Sequence, residues 1–177
     1  EGAPARGPAP PGRDASSTID RAEGAPARGP APPGRDASST TEGYAVARDG
    51  CPIYYRILGE ETGRTPIALL DGIGCDGFVW KYLERALAPL TRVVHFHYRG
   101  HGRTPVPADR RHVSVPELAD DLEAVLDTVG LSRAVLAGHS MGVQVCLEAF
   151  RRHRERVEGL LLLCGSYGNP LRTFKGN

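Results

Sequence analysis

Long apolar runs are absent. The longest, Leu160–Cys164, is strand-sized, well short of the roughly 18–20 residues of a membrane span. Charge of one sign is missing too: 22 basic residues face 21 acidic ones, a formal net charge of +1. Such a balance draws in neither nucleic acid nor an anionic membrane. The four cysteines, Cys51, Cys75, Cys146 and Cys164, form no CxxC pair and show no metal-ligand spacing. They read as free thiols of a reducing compartment, the cytoplasm. No hydrophobic signal region opens the chain, its first residue is Glu1, and its only methionine is Met141. We expect the true start to be missing or processed.

What is present is unevenly distributed. Hydrophobic residues make up 40% and charged residues 24%, as in a globular protein. Yet residues 1–41 hold 8 of the 15 prolines and one large apolar residue, Ile19. Residues 1–18 recur unchanged at 23–40, but two copies without an apolar face cannot stack into a core. Ordering such a segment costs about 1–2 kcal/mol of backbone entropy per residue with no burial to offset it. The tail 1–41 is therefore expected to be disordered, a linker or duplication rather than a docking segment. Residues 42–177 carry the core.

In that part, strand and helix periodicities alternate. Gly43–Arg48 and Pro52–Leu58 read as strands joined by an Asp49-Gly50 hairpin turn, with Pro52 suiting an edge strand. Pro66–Leu70 reads as a buried strand. Phe78–Leu90 reads as a helix with Val79, Trp80, Leu83, Leu87 and Leu90 on one face. Arg92–His97 is the next strand. A helix then opens at Ser114-Val115-Pro116-Glu117, carries Leu118, Leu122, Val125, Leu126 and Val129 inward, and ends at Gly130. Arg133–Gly138 is a strand, Met141–His153 a helix with Val143, Leu147 and Phe150 inward, and Leu160–Cys164 a last strand. Strands alternating with helices imply an α/β fold of three layers: a mostly parallel sheet with an antiparallel hairpin at its N-terminal end.

One pentapeptide carries chemistry. Gly138-His139-Ser140-Met141-Gly142 is a G-x-S-x-G motif with a strand before it and a helix after it. Chain reversal there is tight, and glycines on both sides remove the Cβ atoms that would clash. The turn lifts the Ser140 hydroxyl above the sheet. It also aims the first N–H groups of the following helix, beginning with Met141, at a developing oxyanion.

Three motifs in order make residues 42–177 resemble the N-terminal half of the α/β-hydrolase-fold family, in its serine-nucleophile branch. They are the turn Asp71-Gly72-Ile73-Gly74, the loop Arg99-Gly100-His101-Gly102-Arg103-Thr104, which is similar to the family's R-G-x-G-x-S/T, and the elbow at Ser140. The resemblance implies that Ser140 attacks an acyl carbonyl and that the N–H groups of Ile73 and Met141 form the oxyanion hole. It places Asp71, Gly72 and His139 along the site, and implies a small-molecule acyl substrate with no cofactor and no metal. The dehalogenase and epoxide-hydrolase branches resemble this chain as well, but use aspartate where Ser140 stands. One departure matters: the family's turn usually begins His-Gly, and here it begins Asp71-Gly72. A carboxylate beside a developing oxyanion is unfavourable unless paired, and Arg99 is its expected partner.

Competing readings are weaker. Gly72-Ile73-Gly74-Cys75-Asp76-Gly77 also spells the G-x-G-x-x-G dinucleotide fingerprint. That site needs an acid about 20 residues on. The next strand ends in His95-Phe96-His97-Tyr98-Arg99, where only Arg99 could serve, on the 2′-phosphate of NADP. His95 and His97 have metal-like alternate spacing but no third ligand, and read as strand-end polar side chains under the loop. His101 and His139 read as site lining, and Cys75 as a small packing residue. After Ser140 the chain offers only His153, Glu148, Glu155 and Glu158. His153, 13 residues into the helix, lies roughly 20 Å from Ser140 and cannot be its base. We therefore expect an esterase- or lipase-like serine hydrolase, C-terminally truncated, whose acid and histidine lie beyond Asn177. The 177-residue chain itself is expected to be inactive, with its last strand an uncovered apolar edge. The alternative is a non-catalytic remnant or a binding module.

Overall fold

The computed structural model describes Gly2 and residues 40–167. The expected disorder of the tail thus lies outside the described residues, except at its last two positions. Thr40 and Thr41 are strand, so the first described strand includes the last two residues of the segment expected to be tail. Both are β-branched and pair with Leu58 and Ile57.

Strands β1 (Thr40–Val46) and β2 (Pro52–Leu58) form the expected hairpin. In its turn Gly50 N–H donates to Ala47 O, and Asp49 Oδ1 accepts from Cys51 N–H at 3.1 Å. Contrary to the edge reading of Pro52, β2 is interior, flanked by β1 and by β4 (Val93–Phe96). The proline is tolerated because β4 pairs only with Tyr55–Leu58, leaving Pro52 beyond that ladder. With β3 (Ile67–Leu70), β5 (Ala134–His139) and β6 (Val157–Leu163), the sheet order is β1-β2-β4-β3-β5-β6. The β1–β2 and β2–β4 pairs are antiparallel and the rest parallel. Among the described strands β6 pairs with β5 alone, and Leu161, Leu162 and Leu163 are exposed.

Side chains alternate across the sheet, as the pleat requires. Ala68, Leu70, Val94, Phe96 and Leu136 face one core, shared with α2 (Val115–Thr128) and α3 (Met141–Arg152). Ile67, Leu69, Val93 and Ala137 face the other, against Trp80 and Ala88. Helix α2 follows its sequence signals: Ser114 accepts from Glu117 N–H at its start, and Leu118, Leu122, Val125 and Leu126 are buried.

Two helices differ from expectation. In place of one helix over Phe78–Leu90 there is a single 3₁₀ turn, Phe78–Trp80, and a five-residue α1, Leu83–Leu87. Trp80 is buried, but Leu83 and Leu90 are exposed. The cause is Glu84, which turns inward to meet Arg56 of β2 at 2.6 Å and so turns Leu83 and Leu90 outward, while Leu87 stays half-buried against the core. In α3 the inward face is Gly142, Val143, Val145, Cys146 and Ala149, while Leu147 and Phe150 are half-buried. Close packing of Gly142 on β3, described below, sets that rotation.

The loop after β4 wraps His97. Its Nδ1 accepts Arg103 N–H at 2.8 Å, and its carbonyl accepts the Thr104 hydroxyl, which in turn accepts Tyr54 N–H. A ring that accepts at Nδ1 is neutral, and burial together with neighbouring His95 pushes its pKa down to about 4. Unfolded, the same imidazole takes up its proton near the ordinary value of about 6.5. The folded state is therefore penalised as pH falls through that window. We expect the parent to lose about 3 kcal/mol relative to His97→Asn between pH 7 and pH 4, because the Asn oxygen keeps the Arg103 bond without a titrating proton. Urea midpoints measured across that range check this. Parallel pH profiles for the two proteins would sink it.

Candidate active site

The carboxyl ends of β3 and β5 lie side by side, with Leu70 opposite Gly138. From β3 the chain moves to β4 on one side and later returns to β5 on the other, so the two exits flank the sheet's switch point, the place where α/β sheets form their ligand crevice. The turn from Asp71 leaves one exit and Ser140 leaves the other.

Ser140 has φ 56° and ψ −114°, between the last residue of β5 and the first of α3. Among described non-glycine residues only Ser140 and Cys164 have positive φ. Such a conformation costs about 1–3 kcal/mol and persists only where its surroundings over-determine it. Here they do. A Cβ on Gly138 would lie 2.4 Å from Gly142 O, and one on Gly142 would lie 2.3 Å from Leu70 O and 2.8 Å from Asp71 O. The two glycines thus press α3 onto the ends of β5 and β3. Ser140 N–H donates to Leu163 O at 3.0 Å, tying the elbow to β6 as well. Its hydroxyl makes no cap bond to α3, and Met141, the first residue of the helix, packs half-buried on the core.

The turn after β3 lies against the elbow. A Cβ on Gly72 would meet Ser140 Cβ at 3.1 Å, His139 Nδ1 at 3.2 Å and Cys75 Sγ at 3.6 Å. Gly72, His139, Ser140 and Cys75 are thus brought together, while the Ile73 side chain points out, 74% exposed. His139 stacks edge-on against Trp80, with ring centroids 6.3 Å apart. Cys75 is buried, and burial with the nearby Asp71 carboxylate pushes its thiol up, away from the reactive thiolate.

The expected Asp71–Arg99 pair does not form. Asp71 Oδ2 lies 2.9 Å from His95 Nε2, with both residues fully buried. Arg99 instead grips Asp121 of α2 with Nε and Nη2, each at 2.7 Å, and also reaches Asp49 of the hairpin turn. Arg99 stands three residues beyond the end of β4, and its long side chain reaches the α2 core, where the buried Asp121 carboxylate requires a partner. His95 is thus inside the sheet rather than a strand-end side chain. His101 is turned onto its own loop, Nδ1 3.0 Å from Arg99 O and its ring against Tyr98. His153 follows α3 and faces Asp120 and Glu123. Of the acids after Ser140, Glu148 pairs with Arg151 and Glu158 with Arg133.

The dinucleotide reading lacks its helix. Gly77 leads into the three-residue 3₁₀ turn, so no long helix presents its N-terminus to a pyrophosphate. Among the described residues no group of three His, Cys, Asp or Glu is placed to hold a metal ion, and no helix is long and apolar enough to cross a membrane. Sequence reasoning missed three neighbours of the site: His95, Trp80 in its role beside His139, and Gly165. A Cβ on Gly165 would lie 2.6 Å from Ser140 O and 2.3 Å from Val143 Cγ2. No local pattern marks Gly165, whereas His95 stood one strand away from Asp71 with a polar side chain among apolar residues.

Comparison with known proteins identifies the fold family. A dihydrolipoyllysine-residue acetyltransferase component of the acetoin cleaving system of Pseudomonas putida is 36% identical over 109 residues, 62% of this chain and 29% of the relative. Human epoxide hydrolase 4 is 31% identical over 134 residues, 76% of this chain and 37% of the relative. The chain thus spans about a third of the length of these curated relatives. Among solved structures, Est816, described as an N-acyl homoserine lactone degrading enzyme, superposes with a TM-score of 0.63 at 36% identity, over 68% of this chain and 45% of that one. The family model for the alpha/beta hydrolase fold matches residues 65–176. That match runs from just before β3 past the end of β6, covering every element that builds the crevice, and this chain belongs to the α/β-hydrolase-fold family.

Proposed function

We propose that the whole protein is a cytoplasmic serine hydrolase acting on a small acyl compound, an ester, thioester or lactone, through an acyl-enzyme on Ser140. The observation that carries the proposal is the strained Ser140 backbone at the β3/β5 crevice, held there by glycine contacts on both sides. Strain of this kind, kept at the mouth of a crevice and at a helix N-terminus, serves a nucleophile better than it serves packing. Relatives named for acetyl transfer and for degrading an acyl lactone support acyl chemistry. The epoxide hydrolase likeness supports the fold, while serine rather than aspartate stands at the elbow.

In this mechanism the Ser140 oxygen attacks the acyl carbonyl as a histidine base takes its proton. The carbonyl oxygen becomes an oxyanion received by the N–H groups of Ile73 and Met141. Collapse expels the leaving group, which takes the proton from the histidine. Water activated by the same base then releases the acid and restores the hydroxyl. We assign the base and its carboxylate to sequence beyond Asn177; His153 stands at the far end of α3, roughly 20 Å from Ser140 at 1.5 Å per residue.

Labelling with a fluorophosphonate tests this. We expect the protein extended beyond Asn177 to be labelled at Ser140, and Ser140→Ala to abolish the signal. The 177-residue chain should label roughly 100-fold or more slowly, the minimum usual for a missing general base. Equal labelling of the short and extended chains, or persistent labelling of Ser140→Ala, would refute the assignment.

A further inference from the structure

The Asp71–His95 pair is unexplained by the nucleophile or by the sheet. It lies on the face that carries Leu69, Trp80, Val93 and Ala137, with His97 (ring centroids 5.4 Å from His95) and Arg56 at its border, and a carboxylate and an imidazole are costly to bury there. One hydrogen bond joins them, Asp71 Oδ2 to His95 Nε2 at 2.9 Å. The remaining atoms, Asp71 Oδ1 and His95 Nδ1, are buried without a hydrogen-bond partner among the described residues. Nor is His95 the base of Ser140. Its Nε2 is taken by Asp71, and its Nδ1 side lies under Gly77.

The pair does touch the turn beside Ser140 at both ends. Asp71 is the first residue of that turn. Gly77, with φ +95°, is its last, and lies so close to the imidazole that a Cβ there would stand 2.7 Å from His95 Cε1. Between them Ile73 and Gly74 are exposed, and the tight bend is closed by one long backbone bond, Cys75 N–H to Gly72 O at 3.3 Å. A segment so thinly bonded does not hold one conformation by itself. Gly72 nevertheless lies beside the elbow, with too little room for a side chain: a Cβ there would stand 3.1 Å from Ser140 Cβ.

We propose that the buried Asp71–His95 hydrogen bond is a pin that fixes the Asp71–Gly77 turn against the elbow, and that His95 is a positioning residue for the Ile73 N–H. What that N–H does there rests on the serine-hydrolase reading; the pin itself does not. The imidazole holds the turn's start through Asp71 and supports its end through Gly77. The Ile73 N–H between them is thereby kept in one place relative to Ser140.

The test compares backbone order in the ¹⁵N-labelled 177-residue chain with that in three variants. Asp71→Leu/His95→Leu removes the pin without leaving a lone buried charge, a replacement that buried pairs often tolerate. We expect an unchanged melting temperature, with order parameters of Ile73 and Gly74 falling from about 0.85 to below about 0.6. His95→Gln, whose amide nitrogen reaches the Nε2 position, should keep the turn ordered. His95→Asn, one methylene shorter, should not. This last pair decides the matter if the double variant fails to fold. An ordered turn in the double variant, or equal loss of order in His95→Gln and His95→Asn, overturns the pin. Fluorophosphonate labelling of the extended protein reads the hydrolase assignment separately: an unlabelled parent whose turn still responds to these variants ends that assignment and upholds the pin.

Discussion

A Gly142→Ala variant is expected to melt roughly 10 °C below the parent, a loss of about 3 kcal/mol for a domain of this size. Helix propensity alone gives the opposite sign, since alanine is favoured over glycine within a helix by about 1 kcal/mol. Contact decides it. The new Cβ would sit 2.3 Å from Leu70 O and 2.8 Å from Asp71 O, both backbone atoms at the end of a buried strand. No rotamer change relieves such a clash. Either α3 lifts from β3 or the strand end moves, and both shift Ser140 against Gly72. Gly159→Ala is the control: its Cβ would meet nothing nearer than Val135 Cγ2 at 3.8 Å, an ordinary contact. Thermal denaturation of the two variants and the parent checks this. A Gly142→Ala protein as stable as the parent would show that the glycines of the elbow do not hold α3 onto the sheet.

That contrast marks what one sequence reveals. The pentapeptide was legible because its signal is local: two glycines, a serine, a strand before and a helix after. The sheet was legible for the same reason, since Pro66–Leu70 is a short apolar run and Arg92–His97 a short segment centred on Val93, Val94 and Phe96, each set between turn residues. What the glycines press against was not legible, because Leu70 O, Gly165 and Cys146 reach the elbow from other strands and another turn of α3. Asp71 shows the limit most clearly. Its need for a partner follows from charge and burial alone. Its choice of His95 over Arg99 follows from register, Leu69 lying opposite His95 across the β3–β4 ladder. The segment 78–90 failed for a related reason. Its apolar spacing is helical, but the half-buried Arg56–Glu84 pair, formed with a distant strand, overrides it.

The loss of Arg99 should be at least as large as that of the elbow glycine. Its guanidinium holds both oxygens of Asp121, which is fully buried on α2, and also Asp49 in the β1–β2 turn. Removing one partner of a buried pair costs about 3–5 kcal/mol, because the remaining charge is stranded. Arg99→Met is therefore expected to lower stability by that amount at pH 7. Arg99→Lys should recover only part of it, a single ammonium being unable to meet two carboxylates from a planar fork. Arg99→Met/Asp121→Leu should regain most of the loss, since Asp49 is partly exposed and keeps His112 at 3.0 Å. The pH dependence has a definite sign. Burial already pushes Asp121 up, with Arg99 opposing it. In Arg99→Met that opposition is gone, so the folded variant protonates Asp121 more readily than its unfolded chain does. A folded pKa raised above the unfolded value of about 3.9 penalises the variant at neutral pH and ceases to do so below it. The gap between parent and Arg99→Met should accordingly narrow as pH falls toward 4, and narrow further because Asp49, held far below the carboxylate range by Arg99, stabilises the parent less in acid. Chemical denaturation at pH 7 and pH 4 measures it. A gap that stays constant or widens in acid would mean that the stranded Asp121 carboxylate is not the source of the loss.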